Sequence, residues 1–523
     1  MSITHTQNSP PCSAIPVSRR KRWAFRGAAI LVGLVLLASA EGVLRLIGIG
    51  HPHDTGDPFV GFSEVKPLFV PNPDGTRLEI AKSRLTFFRP ESFAAQKAKN
   101  EYRIFCLGGS TVQGRPYAIE TSFTSWLELS LQAADSNRKW EVVNCGGVSY
   151  ASYRLVPILQ EVLQYQPDLI IVYTGQNEFL EERTYGQIKS TPEWLKTTHE
   201  LASQFHLYGV LHNAIHASKD ASRSTHDLPA EVDALLDYQG GLASYQRDDE
   251  WTAGVVHHFE ENLLRMIHLA RQAHVPLILA NPVSNIRDTP PFKSTFSETL
   301  SASQRSQAEQ LWEQIQHMGW DDPDKRLSLV QQILRIDSRY PNALFLLGRH
   351  YEANGDLESA KAAYLQAKDQ DVCPLRILES MHSVIHAVCR RTDTPLIDIR
   401  AIFETHEETR IPGDKTLIDH VHPRIQGHQW IADAIFEHLT QTGVVTPQTD
   451  WQQLRKQQYS EHYHKLPASY FPTAMARLEG LQRWTQGRVN LIRPPRTPQA
   501  DDSPPSVEAA EILPSLDSDT VGS

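Results

Sequence analysis

Cysteine is scarce in this chain: five in 523 residues, at Cys12, Cys106, Cys145, Cys373 and Cys389, with no CxxC spacing among them. That excludes a disulfide framework and a zinc site of the usual ligand spacing, and leaves mostly buried thiols. Positive charge is also short, with 51 Lys and Arg against 61 Asp and Glu, a net charge of -10. No broad basic face is available to neutralise phosphates, which argues against a nucleic-acid binder. The histidine pairs His51/His53, His257/His258 and His462/His464 lack a Cys or carboxylate cluster to complete a metal set, so they read as surface or packing residues and no metal or cofactor is expected. Two glycine motifs are incomplete as well. After Gly109 to Gly114, Arg115 and Pro116 stand where a phosphate loop needs Lys and Ser/Thr. Val112 breaks the Gly-x-Ser-x-Gly nucleophile elbow.

What is present is 40% apolar residue content over a length that can bury a sizeable core, as one large domain with insertions or as two domains. Arg19-Arg20-Lys21-Arg22 and Arg26 precede an uncharged apolar run from Gly27 to Ala40, a targeting pattern that keeps the basic residues 1–26 in the cytoplasm. The run is about 14 residues, short of the roughly 20 of a spanning helix. Val43-Leu44 and Leu46-Ile47 extend it past Glu41 and Arg45, so the reading adopted is an uncleaved membrane anchor over 27–49 with the rest of the chain outside the cytoplasm. Ala38-Ser39-Ala40 resembles a cleavage site, and secretion after signal cleavage is the rival.

Residues 50–100 are rich in Pro, Gly and charge and read as a lead-in with short strands. Beyond it, short apolar runs close on turn residues at 103–107, 140–144, 168–173, 275–280 and 395–399, separated by helical patterns at 122–133, 155–165 and 259–273. Strands apolar on both faces alternating with helices imply an α/β fold with a doubly wound parallel sheet, whose ligands sit outside the carboxyl ends of the strands. Within it, 299–317 and 324–336 read as helices. Residues 342–369, with Leu347-Gly348, Tyr351, Asn354-Gly355, Ala360, Tyr364 and Ala367, resemble one tetratricopeptide repeat. One unit cannot bury its own face, so this α-helical insert, 299–375, must pack on the surrounding domain or on a protein partner. Residues 446–492 read as a helical extension and 493–523, dominated by Pro, Ser, Asp and Glu, as disordered.

The chemistry concentrates at strand ends. Leu107 to Thr111 puts Ser110 after the first strand, and Asp419-x-x-His422 lies near the end of the α/β region. A serine needs a base within hydrogen-bond reach and a third group to orient that base, and all three types are present. Asn144 to Ser149 follows the second strand and Gly175-Gln176-Asn177-Glu178 the third. Alone, each is as readily a turn or a helix cap. Together, in this order over 103–439, they resemble the four blocks of the SGNH, or GDSL, hydrolase superfamily.

That resemblance implies a flavodoxin-like three-layer α/β/α domain built from 101–298 and 376–445. It implies Ser110 as nucleophile, His422 as base and Asp419 as its orienter. The oxyanion hole would come from the Ser110 N–H, a second-block N–H at Gly146 or Ser149, and the Asn177 side chain. The chain departs from the family in three places. Gly109 replaces an Asp, removing a side chain that helps fix the turn. Ser149 stands where a glycine is usual, and Ser is less free at positive φ. Glu178 replaces the usual Asp and can reach a different partner. Glu178 and the loop that follows it at 179–185, with loops at 281–288 and 373–376, offer Glu178, Arg183, Asn285 and Arg376 as substrate contacts, against a plain reading of solvated, capped loops. The expected function is an envelope-anchored esterase releasing a small acyl group, such as acetyl on a glycan. An O-acyltransferase using the same site, and a silent binding protein recruiting a partner through the insert, are the alternatives.

Overall fold

The computed structural model describes residues 19–47, 57, 59–183, 207, 210, 226–237 and 240–486. The expected disordered tail, Cys12, His51, His53, Thr184 and Tyr185 lie outside the described residues. The chain divides into two units, Met1–Pro58 with Ser190–Ser224, and Phe59–Lys189 with Thr225–Ser523.

In the first unit α1 spans Arg19–Ile47. The apolar stretch does not stop at Ala40, because Glu41 and Arg45, one turn apart, pair with each other at 2.8 Å and the helix continues. Its segment Phe25–Ile47 is 23 residues long, about 34 Å at 1.5 Å per residue, which is enough by length and composition to cross a membrane.

In the second unit a five-stranded, wholly parallel sheet is formed by β5 (Glu101–Gly108), β6 (Lys139–Gly146), β7 (Leu169–Tyr173), β9 (Leu277–Asn281) and β10 (Leu396–Asp398), in the order β10-β9-β7-β5-β6. The chain moves from β5 outward to β6 and then returns to place β7 on the other side of β5. The loops leaving β5 and β7 therefore diverge and open a crevice at the strand carboxyl ends. Period-two alternation explains the three layers. Ile104 and Cys106 of β5, Ile171 of β7 and Ile278 of β9 face one layer, α3 (Phe123–Ala134) and α12 (Ile425–Gln441), packing on Trp126, Ile431 and Ile435. Phe105, Leu107, Ile170, Val172 and Leu279 face the other, formed by α4 (Ser152–Val162), α5 (Asp249–Gln272) and α10 (Glu379–Thr392). α5 starts ten residues before the expected 259, where the Asp248 carboxylate caps the Trp251 N–H at 2.7 Å.

The lead-in carries four short strands, as expected. β1 (Val60–Phe62) pairs in parallel with β8 (His226–Leu228), and β2 (Phe69–Pro71), β3 (Arg77–Ile80) and β4 (Ser92–Ala94) form an antiparallel sheet. Phe69 and Phe93 pack on Phe105 of β5. Buried Arg103 ties the two sheets, donating to the Ala94 carbonyl at 2.8 Å and to Glu101 and Glu141 at 2.7 Å each.

The insert is four successive helices: α6 (Ala302–His317), opened by a Ser301/Gln304 capping box, α7 (Pro323–Ile336), α8 (Pro341–Ala353) and α9 (Leu357–Asp369). Leu344, Phe345, Ala360 and Tyr364 cluster with Ile286 and Ile411 of the α/β domain, and Glu352 pairs with Arg287 at 2.5 Å. The insert thus packs against the loops that follow β9 and α11 (Ile399–His406). The helical extension, α13 (Trp451–His464) and α14 (Tyr470–Gln486), lies on α3 and on the 117–121 segment through Tyr459 and Tyr470, whose hydroxyls reach Ser130 and Thr121 at 2.8 Å.

Arg103→Ala removes the cation that Glu101 and Glu141 share, leaving Glu101 with Lys139 alone and Glu141 with no ion-paired cation among the described residues. We expect a loss of about 3–5 kcal/mol in urea unfolding, and a loss under about 1 kcal/mol contradicts this role.

Candidate active site

β5 ends in Gly108, and the chain turns straight into the short helix α2 (Ser110–Gln113). The sheet fixes where that turn begins, since Gly108 stands opposite Gly146 of β6 and Tyr173 of β7. Ser110 opens α2, and its Oγ lies 2.7 Å from His422 Nε2. His422 Nδ1 lies 2.6 Å from Asp419 Oδ2, while Asp419 Oδ1 accepts the N–H groups of Val421 and His422 at 2.9 and 2.8 Å. Burial opposes the charge on Asp419, but the adjoining His422 and His420 rings and these N–H donors outweigh it and hold the carboxyl well below its usual range. An ionised carboxylate only accepts, so His422 Nδ1 carries a proton toward Asp419, and in the neutral ring that tautomer leaves Nε2 to accept from the Ser110 hydroxyl.

The second block resolves into one open donor. The Gly146 N–H donates to Asn144 Oδ1 at 2.9 Å, Gly147 to the Gly108 carbonyl at 2.9 Å, Val148 to Phe87 at 2.8 Å and Tyr150 to Gly147 at 3.2 Å. The Ser149 N–H has no partner among the described residues, and Ser149 is left-handed at φ 63°. That conformation costs a non-glycine residue about 1 kcal/mol. The expectation that Gly146 could offer its N–H is corrected by the Asn144 side chain, which occupies it.

Asn177 lies against the same turn. Its Nδ2 donates to the Tyr150 carbonyl at 3.0 Å, and a Cβ at Gly109 would fall 2.6 Å from that nitrogen. Gly109 is therefore not a missing brace for the turn; it leaves the room that the Asn177 amide fills.

The four expected substrate contacts are buried architecture instead. Glu178 accepts from Ser152 N and Oγ at 2.8 and 2.9 Å, capping α4, and burial pushes its pKa up against the pull of Arg183. Arg183 donates to the Glu178 carbonyl, lies 3.0 Å from His258 Nδ1 and stacks on Tyr153. Asn285 reaches Asp414 at 2.7 Å and the Asp419 carbonyl at 3.3 Å, and its own N–H donates to His420. Arg376 does not face a substrate anion: it holds the carbonyls of Asn285 and Thr289 at 3.0 and 2.7 Å and faces Asp371 at 3.5 Å. These residues position the site's loops from behind.

Sequence reasoning passed over His428, Gln176 and the side chain of Asn144. His428, on α12 behind His422, is kept neutral by burial, its pKa pushed down to about 3, and its Nδ1 accepts the Phe123 N–H at 3.3 Å. Gln176 joins three segments through Val283 O, Ser284 Oγ and Ile377 N. Only Asn144 carried a signal, as a polar residue inside an apolar strand. Asp, Glu, His and Cys nowhere gather as a metal set among the described residues.

Compared with solved structures, the chain is similar to the lipase/acylhydrolase of Enterococcus faecalis, at 13% identity over 66% of this chain and 99% of that one, TM-score 0.30. It is similar to Axe2, an acetylxylan esterase of Geobacillus stearothermophilus, at 12% identity, 65% and 96% coverage, TM-score 0.29. A GDSL-like lipase of Bacteroides thetaiotaomicron gives 10% identity, 66% and 92% coverage, TM-score 0.27. No family model matches the chain, and no curated protein matches it by sequence.

Asn144 also donates to Val112 O at 2.6 Å and Thr124 Oγ1 at 2.9 Å. Asn144→Ala removes three buried hydrogen bonds and leaves the Gly146 N–H without its acceptor, while Val112 O and Thr124 Oγ1 keep Ser122 Oγ; we expect a destabilisation of about 1–3 kcal/mol by thermal unfolding. An unchanged midpoint would remove Asn144 from the account of this turn.

Proposed function

We propose that the protein is an SGNH-type serine esterase that hydrolyses a small acyl ester through an acyl-enzyme on Ser110. The observation that carries this reading is the unbroken relay from Ser110 Oγ through His422 to Asp419, with bonds of 2.7 and 2.6 Å. His422 Nε2 takes the serine proton as Oγ attacks the acyl carbon, then returns it to the leaving alcohol. Water activated by the same nitrogen releases the acid. Asp419, already ionised, stabilises the imidazolium that forms between these steps. The developing oxyanion falls to donors around the turn: the N–H groups of Ser110 and Ser149 and the Asn177 amide, each such donor being worth about 3 kcal/mol.

We place the acyl group on an envelope carbohydrate, acetyl being the size we favour, and read α1 as an anchor with its basic flank in the cytoplasm and the site outside. The run Arg19 to Arg22 ahead of the apolar helix supports this orientation. The insert resembles a tetratricopeptide unit and, in this reading, buttresses the site.

Ser110→Ala is expected to abolish acetate release from aryl acetates without lowering the melting temperature, and His422→Ala to abolish it in a protein that stays folded but melts lower, since Asp419 loses its buried partner. Asp419→Asn, which keeps the shape but allows the wrong tautomer, is expected to lower kcat roughly ten-thousandfold. Hydrolysis that survives Ser110→Ala overturns the assignment. Turnover that begins only when a sugar acceptor is added makes the enzyme an acyltransferase.

A further inference from the structure

Several buried guanidinium groups have carboxylate partners: Arg103 with Glu101 and Glu141, Arg154 with Glu181, Arg376 with Asp371. Arg115, next to the Ser110 turn, and the two arginines that act on it, Arg89 and Arg477, have no ion-paired carboxylate among the described residues. Arg115 follows α2 directly, and its N–H donates to the Ser110 carbonyl at 3.1 Å. Its guanidinium makes no hydrogen bond or ion pair with any described residue, although its Nε is buried. Arg89 follows Phe88, whose ring abuts Gly147 of the second block, and its guanidinium likewise has no hydrogen bond or ion pair among the described residues. Arg477, on α14, donates to the Tyr117 carbonyl at 2.7 Å, two residues from Arg115, and has no carboxylate within ion-pair distance among the described residues.

The three come from separate segments yet feel one another. Burial lowers the pKa of Arg89 and Arg477 repels it further. Burial, Arg89 and Arg477 together bring Arg115 down to about 10, so it remains cationic at neutral pH. Arg115 also feels Asp419, which places it within the field of the relay, and Glu120 acts on Arg89 from beyond ion-pair range. Like charges partly withdrawn from water, unpaired, in a chain of net charge -10, call for an anion. Guanidinium forks suit the paired oxygens of a carboxylate or phosphate.

We propose that the Ser110 site takes an anionic ester, one whose alcohol part carries a carboxylate or phosphate, and that Arg89, Arg115 and Arg477 hold that group. This rests on the esterase reading and narrows its substrate: the envelope carbohydrate would be an acidic one.

The test uses the full-length chain and matched acetyl esters: para-acetoxybenzoate, para-acetoxyphenyl phosphate and the neutral methyl para-acetoxybenzoate, with Ser110→Ala as blank. Arg115→Gln and Arg89→Gln are expected to lower kcat/KM on the anionic esters by about tenfold or more, and on the neutral ester by less than about threefold. The preference for the anionic esters is expected to shrink as salt is raised. The larger loss on the benzoate points to a uronate-like substrate, and on the phosphate to a phosphorylated one. Equal losses on all three esters, or no loss, overturn the anion site and leave the esterase reading standing. If the wild type cleaves none of them, calorimetric titration with para-hydroxybenzoate and its methyl ester decides. Binding of the acid alone, lost in Arg115→Gln, keeps the anion site while the esterase reading falls; no binding overturns both.

Discussion

The hydrogen bond between Ser110 and His422 joins residues 312 apart in sequence, and the rest of the domain is arranged so that it can form. One end is set by the sheet: β5 lies between β6 and β7, and the Ser110 turn is pinned where all three strands finish. The other end lies in no named strand. The 414–423 segment is closed on itself by a Leu417–Pro423 bridge and the Ile418 N–H to the His422 carbonyl, and is tied to its surroundings by the Asn285 N–H to the His420 carbonyl, by the Asn285 side chain on Asp414 and the Asp419 carbonyl, and by Asp288 accepting the Asp414 N–H at 2.9 Å. Arg376 in turn holds the 285–289 loop, and α8 braces it through the Arg287–Glu352 pair. The helical insert therefore bears on the histidine end of the relay through one loop, which gives it a structural reason to interrupt the domain where it does.

Electrostatics divide the same region in two. Behind the relay, charges are buried with partners or neutralised, as with Asp371 against Arg376 and with neutral His420 and His428, whose pKa values burial pushes down to about 4 and about 3. Around 89, 115 and 477, positive charge has no ion-paired carboxylate among the described residues, Asp419 and Glu120 acting only from a distance. Interiors tolerate unpaired charge poorly, and the proposed anionic substrate would relieve that contrast.

The fold was legible because its strands are buried on both faces. Leu169 to Tyr173 is apolar throughout and can be little else between two turn signals. Ser110 and Asn177 were readable as residue types after strands, and Asp419 and His422 as an Asp-x-x-His pair near the end of the α/β region. What escaped was whatever depends on a side chain arriving from elsewhere. The bond from the Gly146 N–H to Asn144 is local, two residues apart, but nothing in the sequence selects it over the bonds Asn144 makes to Val112 and Thr124, or shows that Ser149, at φ 63°, keeps the open N–H. Glu178, Arg183 and Arg376 look in sequence like loop charges available to a ligand. Only packing reveals that α4, His258 and Asp371 claim them. Conversely, Arg115 read merely as the residue that spoils a phosphate loop, since its lack of partners is a property of three dimensions.

The most direct measurement is peptide mass spectrometry after treatment with a serine-directed fluorophosphonate, on the wild type and on His422→Ala. The account predicts a single adduct, on the peptide containing Ser110, that is lost when His422 is removed while the protein stays folded. No adduct on the folded wild type, or an adduct on another serine, would contradict it.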